Sequence, residues 1–269
     1  MNLQPTAPDH IVEWRKTRLE KLTAEDGWLN IVGRQWIGPG TITLGTTEAH
    51  DFRLPVGPTE LGTFTLNDDD SAVFMPADGS APVPVAREGK RWPHFRVGRF
   101  LMEITALDAR RALRIRDTES TARSRITAIP SFAFDPALRI IARWEKLARE
   151  MNLTVDNVIG IPTNIPGTHV ARFAIAGTEM ALLPTYGTPQ RPQFVIRDLT
   201  SLDDTYARGR FVFGEDVTET TIALDFNKAI NPPCAFTPFA SCPLPPRENL
   251  FPIRLEAGEK RPAATPLAG

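Results

Sequence analysis

The stretch from Asp225 to Asn249 reads DFNKAINPPCAFTPFASCPLPPREN and holds both cysteines of the chain, six prolines and three asparagines. Phe226, Ile230, Phe236, Phe239 and Leu244 alternate there with amides, hydroxyls and thiols. Prolines lower the entropy lost on ordering a segment. Asn and Asp side chains fix turns by bonding their own backbone. The segment reads as one irregular shape with polar groups aimed from it, which is how a binding or catalytic wall is built on a scaffold. Asp225, Asn227, Asn231, Cys234, Thr237 and Asn249 are its candidate ligand-binding residues.

Asp198, Tyr206 and Arg210 extend the candidate set. An arginine recognises a carboxylate or phosphate through a planar pair of bonds. Asparagine donors can stabilise an oxyanion. A hairpin through Gly214-Glu215-Asp216 would bring Arg210 beside the end of the strand that finishes at Asp225. The competing reading is structural: a buried Arg–Asp pair, with asparagines tying down a proline-rich loop. A concave cavity with unsatisfied Asn and Arg groups would favour ligand binding. Full internal satisfaction would favour a scaffold.

The thiols carry a further choice. Cys234 as a nucleophile needs a base, and His169 is the second-half candidate, with Asp225 or Asn227 as orienter. The bland reading packs both thiols as small apolar groups. A bridge between them stays open. His10, His50, His94 and His169 are scattered, and no spacing matches a zinc site; no metal and no cofactor are expected.

These residues need strands to hold them. Thr41–Leu44, Gly62–Leu66, Ala72–Met75, Arg99–Ile104 and Ala112–Asp117 alternate with period 2, with Asn67–Asp70 as a hairpin turn. Arg114 and Arg116 fall on the wet face of their strand in this reading, within an arginine cluster at 110, 111, 114, 116, 123 and 125. Residues 169–175, 179–183, 193–197, 209–213 and 220–225 are strands of the second half. Pro184–Pro192 and Leu199–Arg208 read as loops. One helix is expected near residues 9–24, from Asp9 with Ile11, Trp14, Leu19 and Leu22 on one face. Residues 139–151 fit a helix or a strand. The five tryptophans read as core. The fold class is mainly β: an N-terminal helix and β-sandwich over residues 1–130, then an antiparallel β-barrel or sandwich over 131–269.

The bulk properties narrow the function classes. A chain of 269 residues with 42% hydrophobic residues can build a real core. A net charge of -1 argues against nucleic-acid binding. No apolar run approaches the ~18 residues of a membrane span. The N-terminus lacks a basic-then-apolar signal design, so a cytoplasmic protein with reduced thiols is expected. No phosphate-binding loop, G-x-S-x-G or H-E-x-x-H occurs.

The run Asp225-Phe226-Asn227, Asn231-Pro232-Pro233-Cys234-Ala235-Phe236-Thr237, Cys242-Pro243-Leu244-Pro245-Pro246, Glu248-Asn249 and Ala257-Gly258-Glu259 resembles the bacterial domain-of-unknown-function 1684 family. So do Asp198-Leu199-Thr200 and Thr205 to Arg210. Gly27-Trp28-Leu29, Gly33-Arg34-Gln35-Trp36, Leu54-Pro55 and Gly62-Thr63-Phe64 fit it too, so the likeness runs over nearly the whole chain. Ile230 departs from the tyrosine expected before Asn231. The family brings no settled activity. The first half also resembles a forkhead-associated sandwich, but at Gly40-Thr41 and Pro58-Thr59-Glu60-Leu61 the arginine, serine and histidine that read phosphothreonine are missing. That likeness implies a fold alone.

The reading that results is a protein binding a small polar or anionic molecule in its second half, with or without catalysis. Its rivals are a non-catalytic scaffold and a Cys–His hydrolase. The oligomeric state is open.

Overall fold

The computed structural model describes residues 7–89 and 91–262. The chain divides into two compact units, residues 21–126 and residues 7–20 with 127–262. Among the described residues the fold is mainly β, with one α-helix, α1 (Asp9–Thr23). Asp9 sits in its first turn, where a negative charge meets the positive end of the helix. As far as Glu20 the helix groups with the second unit. There Arg15 donates to the Phe132 carbonyl at 3.0 Å and Arg18 to the Glu259 carboxylate at 2.9 Å.

In the first unit, β1 (Ile31–Ile37), β7 (Phe95–Val97), β8 (Phe100–Leu107) and β9 (Arg110–Asp117) form a sheet in the order β1-β9-β8-β7. The strands β2 (Gly40–Gly45), β3 (Phe52–Arg53), β4 (Glu60–Leu66), β5 (Ala72–Pro76) and β6 (Val83–Val85) form a second, in the order β3-β2-β4-β5-β6. Leu44, Phe64 and Phe74 from one sheet share a core with Phe95, Met102, Leu113 and Ile115 from the other, which makes the unit a sandwich.

Two expectations fail in this unit. Arg114 and Arg116 are buried rather than solvated. Glu103 of β8 pairs with both, at 2.9 and 2.8 Å, and Arg114 also lies 4.7 Å over the Trp28 ring. A shared carboxylate makes that burial tolerable. Of the tryptophans, Trp92 and Trp144 are buried, but Trp36 is 36% exposed, with Arg34 4.0 Å from its ring.

The second unit is built on a seven-stranded antiparallel sheet, curled into a half-barrel. Its strands are β10 (Arg139–Val155), β11 (Thr163–Ile175), β12 (Thr178–Leu182), β13 (Tyr186–Thr188), β14 (Arg191–Ile196), β15 (Arg210–Glu215) and β16 (Thr221–Asp225), in the order β12-β11-β10-β16-β15-β14-β13. Residues 139–151 are therefore strand, not helix. Ala142 and Trp144 are buried while Ile141 before them is 59% exposed and Arg143 between them is exposed, the period of a sheet. The supposed loop 184–192 contains β13, paired Tyr186 to Gln193. Phe194, Val212, Leu224, Phe226 and Phe251 fill the core. After Asp225 the described residues form 3-10 turns and isolated bridges laid over this sheet, and that covering segment is the proline-rich motif.

Candidate functional site

Arg210 begins β15 with its side chain 1% exposed. Its guanidinium donates to Asp198 at 2.7 Å and to the Leu255 carbonyl at 3.0 Å. It also donates to the carbonyls of Ala257 and Glu259. Burial pulls the guanidinium below its ordinary value, and the Asp198 carboxylate opposes that pull. Asp198 is itself filled: it accepts from the Thr200 amide and hydroxyl at 2.9 and 2.6 Å and from the Leu255 amide at 3.1 Å. The pair therefore buckles the segment 255–259 onto the sheet.

The asparagines behave in the same way. Asn227 accepts from the Asp135 amide at 2.9 Å and donates to the Asp135 carbonyl at 2.8 Å. Asp225 caps the turn after β16, accepting from the Asn227 amide at 3.1 Å and side chain at 3.0 Å. Asn249 accepts from the Leu183 amide at 2.8 Å and donates to the carbonyls of Leu183 and Val195 at 2.9 and 3.0 Å. Its amide thus acts as one more peptide group between two chain segments. Thr237 is fully buried, its hydroxyl accepting from the Phe239 amide at 3.3 Å.

Asn231 lies beside Arg210, since Phe211 and Ile230 form a bridge. Its amide donates to Glu259 at 2.6 Å, its side chain donates to the Lys260 carbonyl at 2.8 Å, and its carbonyl accepts from Arg18 at 3.0 Å. Its Oδ1 is the exception, buried with no hydrogen-bond partner among the described residues. The sequence thus places Arg210 and Asn231 together correctly, but around a knot rather than a pocket. Arg210, Asp225, Asn227 and Asn231 line none of the three clefts described below. Glu259, quoted in the motif but not chosen as a site residue, is the carboxylate at the centre of that knot.

Cys234 and Cys242 are thiols, not a disulfide. Cys242 is buried and Cys234 half-buried. The Cys234 amide donates to Cys242 Sγ at 3.3 Å, and the Tyr206 hydroxyl donates to the Cys234 carbonyl at 3.0 Å. A bond from the Cys242 thiol lowers the Cys234 thiol below its ordinary value; burial opposes this, and Tyr206 and Arg208 add to it. Burial, then its bond with Cys234, raises the Tyr206 phenol. His169 is engaged elsewhere. Its ring stacks on Trp144 at 4.9 Å and its Nδ1 bonds the Thr168 hydroxyl at 2.9 Å. Cys234 and His169 do not bond each other, so the expected Cys–His pair is not formed.

Among the described residues, three clefts on this unit bear on a site. The first, of about 850 Å³, runs past Phe132, Phe134, Leu138 and Arg254. Arg254 is already paired with Asp203, Asp204 and Glu256. The second, of about 720 Å³, is lined by Trp144, His169, Tyr186 and prolines. The third, of about 310 Å³, is lined by Arg197, Arg208 and Arg247, with Asp156 as its carboxylate. Arg197, Arg208 and Arg247 are exposed and make no ion pair among the described residues. Arg208 donates a bond to the Val158 carbonyl at 3.3 Å.

Each of these arginines is positioned by a neighbour that the sequence did single out. Arg197 precedes Asp198 and bridges to Leu250. Arg247 opens the turn that Asn249 fastens to the sheet. Arg208 precedes Gly209, whose φ of +104° suits glycine, and a Cβ there would meet the Ile196 carbonyl oxygen at 2.5 Å. The missed signal is that a surface arginine lies within two residues of three buried clamps, Asp198, Arg210 and Asn249.

The sequence model of the family described as "Protein of unknown function (DUF1684)" matches residues 124–260. The early segments around Gly27, Gly33 and Leu54 fall outside that match. No curated protein matches. The uncharacterised Haloarcula marismortui protein whose structure was solved by solution NMR is 24% identical, with a TM-score of 0.43 over 52% of this chain and 79% of that one. With its family match covering half of its length, the chain belongs to the family Protein of unknown function (DUF1684).

Proposed function

We propose that the second unit binds a small anionic molecule, a carboxylate or phosphate ester, in the cleft lined by Arg197, Arg208 and Arg247. The observation that carries this reading is their charge balance. Three guanidiniums face one carboxylate, Asp156, in a cleft of about 310 Å³. That volume sits at the lower end of ligand pockets, which run from roughly 300 Å³. Elsewhere on the unit an exposed arginine such as Arg254 gathers three carboxylates. Arginines with unspent fork donors suit oxyanions. The ligand-binding role first read onto Arg210 moves outward by two residues, to Arg208.

A second reading has a specific observation behind it. Asp198, Arg210, Asn227 and Asn249 are satisfied by the protein itself. The motif is then a rigid framework, and the protein a scaffold with no ligand. The two readings separate in a thermal-shift titration of the full chain with phosphate, sulfate, citrate and short dicarboxylates. A ligand bound only by the folded state raises its stability. A saturable rise with at least one anion, lost in Arg208→Ala/Arg247→Ala, supports the cleft. A flat response to the whole panel, or a rise unchanged in that variant, leaves the scaffold.

A further inference from the structure

We propose that Cys234 and Cys242 are a reversible oxidation site, closing to an intrachain disulfide on reaction with a peroxide. Four observations set up that chemistry, none of which involves the arginine cleft's ligand.

The first is contact. The Cys242 sulfur lies 3.3 Å from the Cys234 amide nitrogen, which sets the two side chains against each other. Bridging needs Cβ atoms roughly 3.5–4.5 Å apart. A Cys242 sulfur already held against the Cys234 backbone leaves rotation about the side chains as the main remaining motion.

The second is asymmetry. Cys234 is half-buried and Cys242 buried. A small oxidant reaches the outer sulfur and finds the inner one waiting behind it. Redox-sensing cysteines are accessible and set next to a resolving thiol.

The third is activation. The thiolate is the nucleophile. The Cys242 thiol, the Tyr206 hydroxyl and the positive charge of Arg208 all favour the thiolate of Cys234. None of them has another evident task at this sulfur.

The fourth is rigidity on both sides. Tyr206 donates to the Cys234 carbonyl at 3.0 Å. The Val158 amide donates to the Cys242 carbonyl at 3.0 Å, and the Leu244 amide donates to the Asp156 backbone carbonyl at 2.7 Å. Prolines flank both cysteines in sequence, Pro233 before Cys234 and Pro243 after Cys242. The two sulfurs cannot easily drift apart, so the second step competes well with over-oxidation.

The step balances as follows. The Cys234 thiolate attacks one peroxide oxygen, the O–O bond breaks and hydroxide leaves, giving a sulfenic acid. The Cys242 sulfur attacks the Cys234 sulfur, an S–S bond forms, the S–O bond breaks, and the departing hydroxide leaves as water with the Cys242 proton. Two thiols and hydrogen peroxide become one disulfide and two waters. A thiol reductant reverses it by exchange.

The test uses the reduced full chain with a small excess of hydrogen peroxide at neutral pH. Both thiols should be lost together, the mass should fall by two hydrogens, and a digest without reductant should link the Cys234 and Cys242 peptides. Dithiothreitol should restore both thiols. In Cys242→Ser the sulfenic acid of Cys234 should persist and be trapped by dimedone. Sulfinic acid on Cys234 with Cys242 still a thiol, bridges between chains, or two thiols that survive peroxide would each overturn the proposal. The wild-type measurement decides the matter even if the variant fails to fold.

Discussion

Arg208 and Arg210 stand two residues apart. Arg210 is buried and spends its guanidinium on Asp198 and on the carbonyls of Leu255, Ala257 and Glu259. Arg208 is exposed, and its side chain donates to the Val158 carbonyl at 3.3 Å. In an unbroken strand the two would share a face. Gly209, at a φ of +104°, ends that alternation and turns Arg208 out to the cleft. The same residue type therefore serves as a fastener on one side of a glycine and as an open cation on the other. The contrast repeats at Asp198 beside Arg197 and at Asn249 near Arg247. The buried member of each set fixes the chain, and the exposed member makes no ion pair among the described residues.

The contrast breaks first at Arg210. Arg210→Met should destabilise the protein by about 3–5 kcal/mol, because Asp198 would stay buried without its partner. Urea unfolding followed by tryptophan fluorescence measures it. A loss below about 1 kcal/mol, the scale of an exposed pair, would mean that Arg210 is no fastener. Replacing both partners, Asp198→Leu with Arg210→Met, should recover part of the loss, since no lone charge remains.

Asn249→Ala comes next. It strips partners from the Leu183 amide and from the carbonyls of Leu183 and Val195. A buried group left unpaired costs about 1–3 kcal/mol. The same variant should weaken anion binding, because the turn that presents Arg247 loses its fastening. A variant as stable as wild type would place Asn249 outside the framework.

How much of this was legible in the sequence depends on which link is asked about. Period-2 alternation located the strands now called β2, β4, β5, β8, β9 and the core of β11, β12, β14, β15 and β16, because a half-buried sheet imprints its two faces on the chain. It did not settle β10. Arg143-Trp144-Glu145-Lys146-Leu147-Ala148-Arg149-Glu150 is rich in good helix formers, and pairing with β11 and β16 on either side overrides that preference. The polar set Asp198, Arg210, Asn227, Asn231 and Asn249 was legible as unusual. Whether such groups point into a cavity or into the protein was not, because their partners are backbone carbonyls and amides, which every residue carries. The carbonyls of Leu255, Ala257 and Glu259 that consume Arg210 leave no mark in the letters.

Glu103 sharpens the comparison in the first unit. Two buried arginines share this one carboxylate, whereas Arg210 has Asp198 to itself. Burial raises the Glu103 carboxyl, but Arg116 and Arg114 outweigh it and hold it below its ordinary value. A depressed folded value means the stabilisation is complete above the unfolded carboxylate range and is lost as pH falls through the folded value. The urea midpoint should therefore drop through that acid window in wild type. In Glu103→Gln it should start lower at neutral pH and fall less across the same window. An identical acid slope in the two proteins would remove Glu103 from the account. The effect should be smaller than at Arg210, because the Glu103 side chain keeps 15% of its exposure and water screens part of the pairing.

The smallest effect on stability is expected at the cleft, and it discriminates most. Arg247→Ala removes an exposed side chain with no ion pair among the described residues. Surface changes of this kind fall within about 0.5 kcal/mol. The same holds for Arg208→Ala, which gives up a bond to the Val158 carbonyl and an exposed charge. Were these arginines part of the framework, they would unfold the protein as Arg210→Met does. Were they ordinary solvated charges, they would change neither stability nor binding. The cleft reading requires the third pattern: unchanged unfolding midpoints, and phosphate or citrate binding weakened by a charge-assisted bond, about 1.5–3 kcal/mol, or roughly tenfold or more. Binding to wild type should also weaken as sodium chloride is raised, since exposed charges are screened within about 10 Å at 0.1 M salt. An affinity indifferent to both salt and Arg247 would leave the three arginines without a common ligand. The contrast between fastener and open cation would then describe the fold alone.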